Sequence, residues 1–198
     1  VGGALYSDTS NVVTLNTCDF INNMGGAVYC GPSCTVSINN TYDPNHKCLF
    51  TANSDPSDGS DLLVDIGIDF GSGGAIYLGP SSSANIQNCI FGANSAKNDG
   101  GALKCEGNIT LKNCSFGGNT AENGYGGATD VYRYQAPAPL TIDVNNCSFS
   151  GNLAIYGGGF SSENFDANFI DCYFIGNTAQ DGGGLDLVDG DFFVTGGA

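Results

Sequence analysis

The chain has 198 residues, with 20 acidic against 5 basic side chains, and its formal net charge of -15 excludes nucleic acid or an anionic membrane surface as partner. Nine cysteines accompany a single histidine with no C-x-x-C pair, which excludes the usual zinc ligand sets. No apolar run approaches the ~18 residues of a membrane-spanning helix, so no membrane insertion is expected.

Residues 1–24 hold three signatures in order: Gly2-Gly3-Ala4-Leu5, then Val13 and Leu15 at alternate positions, then Cys18-x-Phe20-x-x-Asn23. Residues 25–72 begin again with Gly25-Gly26-Ala27-Val28 and close on Cys48, Phe50 and Asn53, but are swollen by insertions near 39–47 and 54–72. Between them lies Cys30-Gly31-Pro32-Ser33-Cys34, where a Cys30–Cys34 disulfide is expected to clamp the corner. The first insertion carries Pro44 and His46, read as a solvent-exposed loop. The second opens with Asp55, Asp58 and Asp61 around Gly59. It is a calcium candidate or a plain solvated loop, since it lacks the terminal glutamate of an EF-hand; no other cofactor is expected.

Later units are closer to the basic length of about 25 residues. The unit opened by Gly73-Gly74 holds Ala84, Ile86, Cys89, Phe91 and Asn94, and that opened by Gly100-Gly101 holds Ile109, Leu111, Cys114, Phe116 and Asn119. After Gly126-Gly127, an insertion near 131–139 brings Tyr132, Arg133 and Tyr134, either a binding loop for a sugar or a neighbouring chain or a plain loop folded over the side of the stack, before Ile142, Val144, Cys147, Phe149 and Asn152. The next unit supplies Ala167, Phe169, Cys172, Phe174 and Asn177, and Gly182-Gly183 opens a last one that reaches no C-x-F.

Alternation within ψ-x-ψ and within C-x-F sends both residues of each pair to one face of a strand, and the offset between the pairs makes a corner. Glycine pairs suit a third corner. These signatures predict an all-β fold: a right-handed, single-stranded parallel β-helix of about 25 residues and three short strands per coil, one domain of six to seven coils over residues 1–198. Equivalent residues would then stack ~4.8 Å apart. The phenylalanines form one core column, the cysteines a second as small hydrophobes, and the asparagines a corner ladder.

The pairing of G-G-A-[ILV] with F-x-x-N resembles the repeat of the chlamydial polymorphic outer-membrane proteins, and it runs from Gly2 to Gly184. The resemblance implies a surface-exposed β-helix of the passenger type, implicated in adhesion. This chain differs in placing a cysteine two residues before each phenylalanine of the hexamer, and no membrane barrel is read in it.

Four N-x-S/T sequons begin at Asn39, Asn108, Asn113 and Asn146, the last two just before an inward cysteine, where alternation points them to solvent for covalent glycans. The opening Val1-Gly2-Gly3 and closing Thr195-Gly196-Gly197-Ala198 offer no cap for a β-stack, and the missing initiator methionine reads as a mature or excised segment. The expectation is therefore a secreted or cell-surface structural protein, glycosylated, whose partners are copies of itself stacked head to tail into a fibre. The alternative is an adhesin or carbohydrate-binding passenger-type β-helix. A polysaccharide lyase or hydrolase ranks third: the outward position within C-x-F carries no acid cluster, and nothing in the sequence places a base beside Asp186, Asp189 and Asp191.

Overall fold

The structure, a computed structural model, describes residues 3–39, 47–56, 71–132 and 140–196. The described residues form a parallel β-helix: every strand pairs in parallel with the equivalent strand of the next coil. The first sheet stacks Leu5–Ser7, Val28–Cys30, Ile76–Leu78, Leu103–Cys105, Thr129–Tyr132, Phe160–Glu163 and Leu185–Val188, the strands that follow the glycine pairs. The second stacks Val12–Asn16, Thr35–Asn39, Ser83–Gln87, Asn108–Lys112, Leu140–Asn145, Phe165–Ile170 and Phe192–Thr195, built on the ψ-x-ψ pairs. The third, on C-x-F, stacks Asp19–Ile21, Cys48–Thr51, Cys89–Gly92, Ser115–Gly117, Ser148–Ser150 and Tyr173–Ile175.

A fourth, small sheet of Ser54–Asp55, Ser95–Ala96 and Thr120–Ala121 lies where the sequence reads only as a polar turn. Its second residue turns inward, so Ala96 and Ala121 are buried behind the asparagine corner. A ψ-x-ψ pair hidden in the sequence also emerges. Val36 and Ile38 pair with Ala84 and Ile86, although the insertion separates them from Cys48. The structure of that insertion, of Asp58 and Asp61, and of Arg133 to Pro139 lies outside the described residues.

Phe20, Phe50, Phe91, Phe116, Phe149 and Phe174 stack ring on ring, with centroids 4.6–5.0 Å apart. The four inner rings are fully buried and the two end rings half-buried. Towards the last coils, Phe160 and Phe169 close the core edge-on to this stack. Their bulk coincides with a change from alanine to glycine: Gly159 and Gly184 take the place of Ala128, and a Cβ on Gly159 would press on Phe174.

The double glycines have two separate causes. The first of each described pair adopts positive φ, for example 60° at Gly100. The second does so at Gly26 but not at Gly101, where a Cβ would overlap the Gly127 carbonyl of the next coil.

Asn53, Asn94, Asn119 and Asn152 are buried in the corner ladder. The Asn94 N–H and Nδ2 both donate to Asn119 Oδ1, at 3.0 and 2.9 Å, and the second Nδ2 proton goes to the Phe50 carbonyl at 2.9 Å. The same triad repeats at Asn119, whose donors reach Asn152 Oδ1 and the Phe91 carbonyl. Every polar atom of each inner amide is thereby satisfied, which is the condition for burying it. Asn119→Ala removes the acceptor for two Asn94 donors and is expected to cost about 1–3 kcal/mol in chemical denaturation. An unchanged midpoint would mean that the ladder contributes nothing.

Candidate functional site

Residues on the inner rows are committed to packing, so chemistry is confined to the outer faces and the ends. On the outer face of the first sheet one register row runs Tyr6, Tyr29, Tyr77, Lys104, Asp130, Ser161, Asp186. The three tyrosines stack, with centroids 5.0 and 5.1 Å apart, and the Tyr77 hydroxyl donates to the Glu106 carboxylate. Lys104 follows, only 2 % exposed, in a close ion pair with Asp130 and 3.3 Å from Asp99. Its ammonium also sits 5.2 Å from the centroid of the Tyr132 ring. Burial pushes the Asp130 carboxyl up to about 6, against the pull of Lys104.

Beyond this pair the row opens into a cavity of about 210 Å³, bordered by Asp99, Tyr125, Asp130, Tyr132, Ser161, Ser162, Glu163, Asp186 and Val188. Tyr125 comes from the glycine corner and stacks on Tyr156 at 4.7 Å. Tyr132, Glu163 and Val188 form the next outward row. Burial and the neighbouring Asp181 raise the Asp186 carboxyl above its ordinary value. The residues that build this cavity come from four successive coils, from Asp99 to Val188. In the sequence Tyr132 and Asp186 stood out, but nothing there placed Lys104 and Asp130 side by side.

The cysteine column is a row of free thiols. In Cys18, Cys89, Cys114, Cys147 and Cys172 the thiol donates to the carbonyl two residues earlier, at 3.1–3.3 Å. That contact gives a reason for cysteine at this corner: a small apolar side chain that carries a weak donor. Cys48 stands in register with Cys89 and its thiol faces the Asn39 carbonyl at 3.6 Å. Burial pushes Cys114 and Cys105 up to about 12, keeping both protonated, and the hydrogen bond with Cys114 raises Cys147 further.

The expected Cys30–Cys34 bridge is not formed. Both thiols are free and buried, and Cys34 donates instead to the Asp8 carbonyl of the preceding coil at 2.9 Å.

The sequon asparagines Asn108 and Asn146 are exposed and Asn113 is partly so. Asn113 and Asn146 adopt positive φ, 55° and 49°, at the corner before the cysteine. Their side chains form a second ladder, Asn146 Nδ2 to Asn113 Oδ1 at 2.9 Å, Asn113 Nδ2 to Asn88 Oδ1 at 3.1 Å, and Asn88 Nδ2 to Asn39 Oδ1 at 3.1 Å. Asparagine is a residue that tolerates this left-handed corner, which accounts for its recurrence there. Asn108 is exposed, and its Oδ1 accepts the Thr141 N–H at 2.9 Å. It lies in a shallow trough of uncharged side chains on the outer face of the second sheet, with Thr35, Ser37, Ser83, Asn85 and Thr110.

Of the calcium candidates only Asp55 lies within the described residues. It is buried, and its carboxylate accepts the Gly71 N–H at 3.3 Å. No group of three or more His, Cys, Asp or Glu among the described residues is arranged to hold a metal ion.

Over 112 residues the chain is 35 % identical to the "Probable outer membrane protein PmpE" of Chlamydia trachomatis serovar D. The match takes in 52 % of this chain and 10 % of that protein, so the chain spans a small part of the relative's length. No family model matches, and no solved structure matches.

Proposed function

We propose that the chain is a non-enzymatic, surface-displayed β-helix rod that stacks head to tail on copies of itself. The similarity to a probable outer membrane protein supports the surface location. The stacking reading is carried by the polarity of the corner ladder. Each asparagine donates forward and accepts from behind, which leaves Asn23 Oδ1 at one end as acceptor. The Asn177 N–H and one Nδ2 proton stand at the other end as donors, each without a ladder partner among the described residues. The half-buried Phe20 and Phe174 rings terminate the aromatic column at the same two ends, and Phe192, Phe193 and Val194 are exposed on the last strand. That polarity lets the ladder and the ring column be continued at either end by a coil of the same repeat, and continuation by a copy of the chain is a head-to-tail contact that does not close on itself.

Covalent glycans belong to the same reading. Asn108 is the sequon asparagine best placed to carry one, being exposed with only its oxygen engaged among the described residues.

Electron microscopy of the native, unreduced protein at rising concentration tests the stacking. Filaments with an axial repeat on the order of 30 Å per subunit are expected. Isolated short rods at every concentration would overturn it and leave the adhesive reading. That second reading is favoured by the recessed, tyrosine-walled cavity on the first sheet.

A further inference from the structure

We infer that the cavity on the outer face of the first sheet binds a small organic cation, an ammonium or guanidinium group held between the Tyr125 and Tyr132 rings and the carboxylates of Glu163 and Asp186. The inference stands independently of end-to-end stacking.

The charge balance at the site leads to it. Asp99, Asp130, Glu163 and Asp186 border one small space, and Lys104, the cation that the described residues place beside it, is already shared by Asp130 and Asp99. Glu163 and Asp186 have no cationic partner among the described residues. They stand on adjacent strands as diagonal neighbours, since Ser161 pairs with Asp186 and Glu163 with Val188. Such positions are separated by roughly 7–8 Å, a gap that one ammonium or guanidinium bridges to both carboxylates.

The aromatic walls suit the same ligand. Tyr132 already receives an ammonium, that of Lys104, over its ring. Tyr125 is backed on one face by Tyr156 and remains 43 % exposed. A cation over either ring gains from the quadrupole, and more so in a recess that excludes water.

The size of the cavity narrows the ligand. The volume, about 210 Å³, is below the ~300 Å³ at which pockets for drug-sized molecules begin, so it admits a head group rather than an oligosaccharide.

Calorimetric titration of the whole chain tests this with three probes: agmatine, acetylated and amidated Gly-Gly-Arg-Gly-Gly, and methyl β-glucoside. Saturable binding of at least one cationic probe is expected, weakened by about tenfold in the Glu163→Gln, Asp186→Asn double variant, because both contacts are charge-assisted. A several-fold loss is expected in Tyr125→Leu. Asp8→Asn, in the first coil, is expected to leave the affinity unchanged. The acid-to-amide changes are isosteric and lie on an outer face, so circular dichroism is expected to stay the same. Tighter binding of the peptide identifies a basic side chain of a partner as the source of the cation, and tighter binding of agmatine a free amine. No saturation by either cation, an equal loss in Asp8→Asn, or binding of the glucoside alone would overturn the inference.

Discussion

Phe116→Ala is expected to destabilise the chain by about 3–5 kcal/mol, read as a lower midpoint in urea or thermal unfolding. Phe116 is fully buried and lies between two parallel rings, Phe91 at 4.6 Å and Phe149 at 4.8 Å, with interplanar angles of 3° and 2°. Deleting it removes transfer free energy and also strips one face from each neighbour. Collapse cannot refill the space, because the coils above and below are held at strand spacing by the flanking sheets. At the half-buried Phe20 the same change has solvent on one side and is expected to cost less than half as much. Equal effects at the two positions would contradict a continuous column. A negligible effect at Phe116 would contradict the register itself.

Lys104→Met is expected to cost about 3–5 kcal/mol at neutral pH, because it leaves a buried carboxylate unpaired while a side chain of similar length fills the space. Asp130 is 2 % exposed and Lys104 is its close partner, with Asp99 a second anion 3.3 Å from the same ammonium. The penalty has a definite pH dependence. The Asp130 carboxyl in the folded chain titrates at about 6, above its ordinary value of 3.8. A raised acid favours the folded state when protonated, and that contribution is lost as pH rises from the unfolded value through the folded one. Without Lys104 the group rises further, so the difference between variant and parent is flat up to about pH 6, where both folded chains hold the proton, and grows as pH rises above 6. Thermal midpoints of both proteins from pH 4 to 8 check this. A constant difference across that range would mean that the loss is one of packing alone.

The repeat made the core legible because each coil states the same local rule. Alternation at Ile109 and Leu111, the offset to Cys114 and Phe116, and the glycines at 100 and 101 together define inward rows and corners. The cavity was not legible for the complementary reason. Outward positions obey no repeat, so Tyr77, Lys104, Asp130, Ser161 and Asp186 share no residue type although they share one row. At Asn113 and Asn146 the sequon and the second ladder use the same side chain, and the ladder rests on a left-handed backbone at that corner that no motif announces.

The sequence by itself determined the period, the three main strands of each coil and the identity of the stacked columns, since these follow from short-range alternation and recurrence. Tertiary structure decided which ladder amides bond to which neighbours along the axis, and that Lys104 meets Asp130 on the outer face. Those contacts join residues 25 or more positions apart, such as Asn94 to Asn119 and Lys104 to Asp130, and exist only once successive coils lie in register.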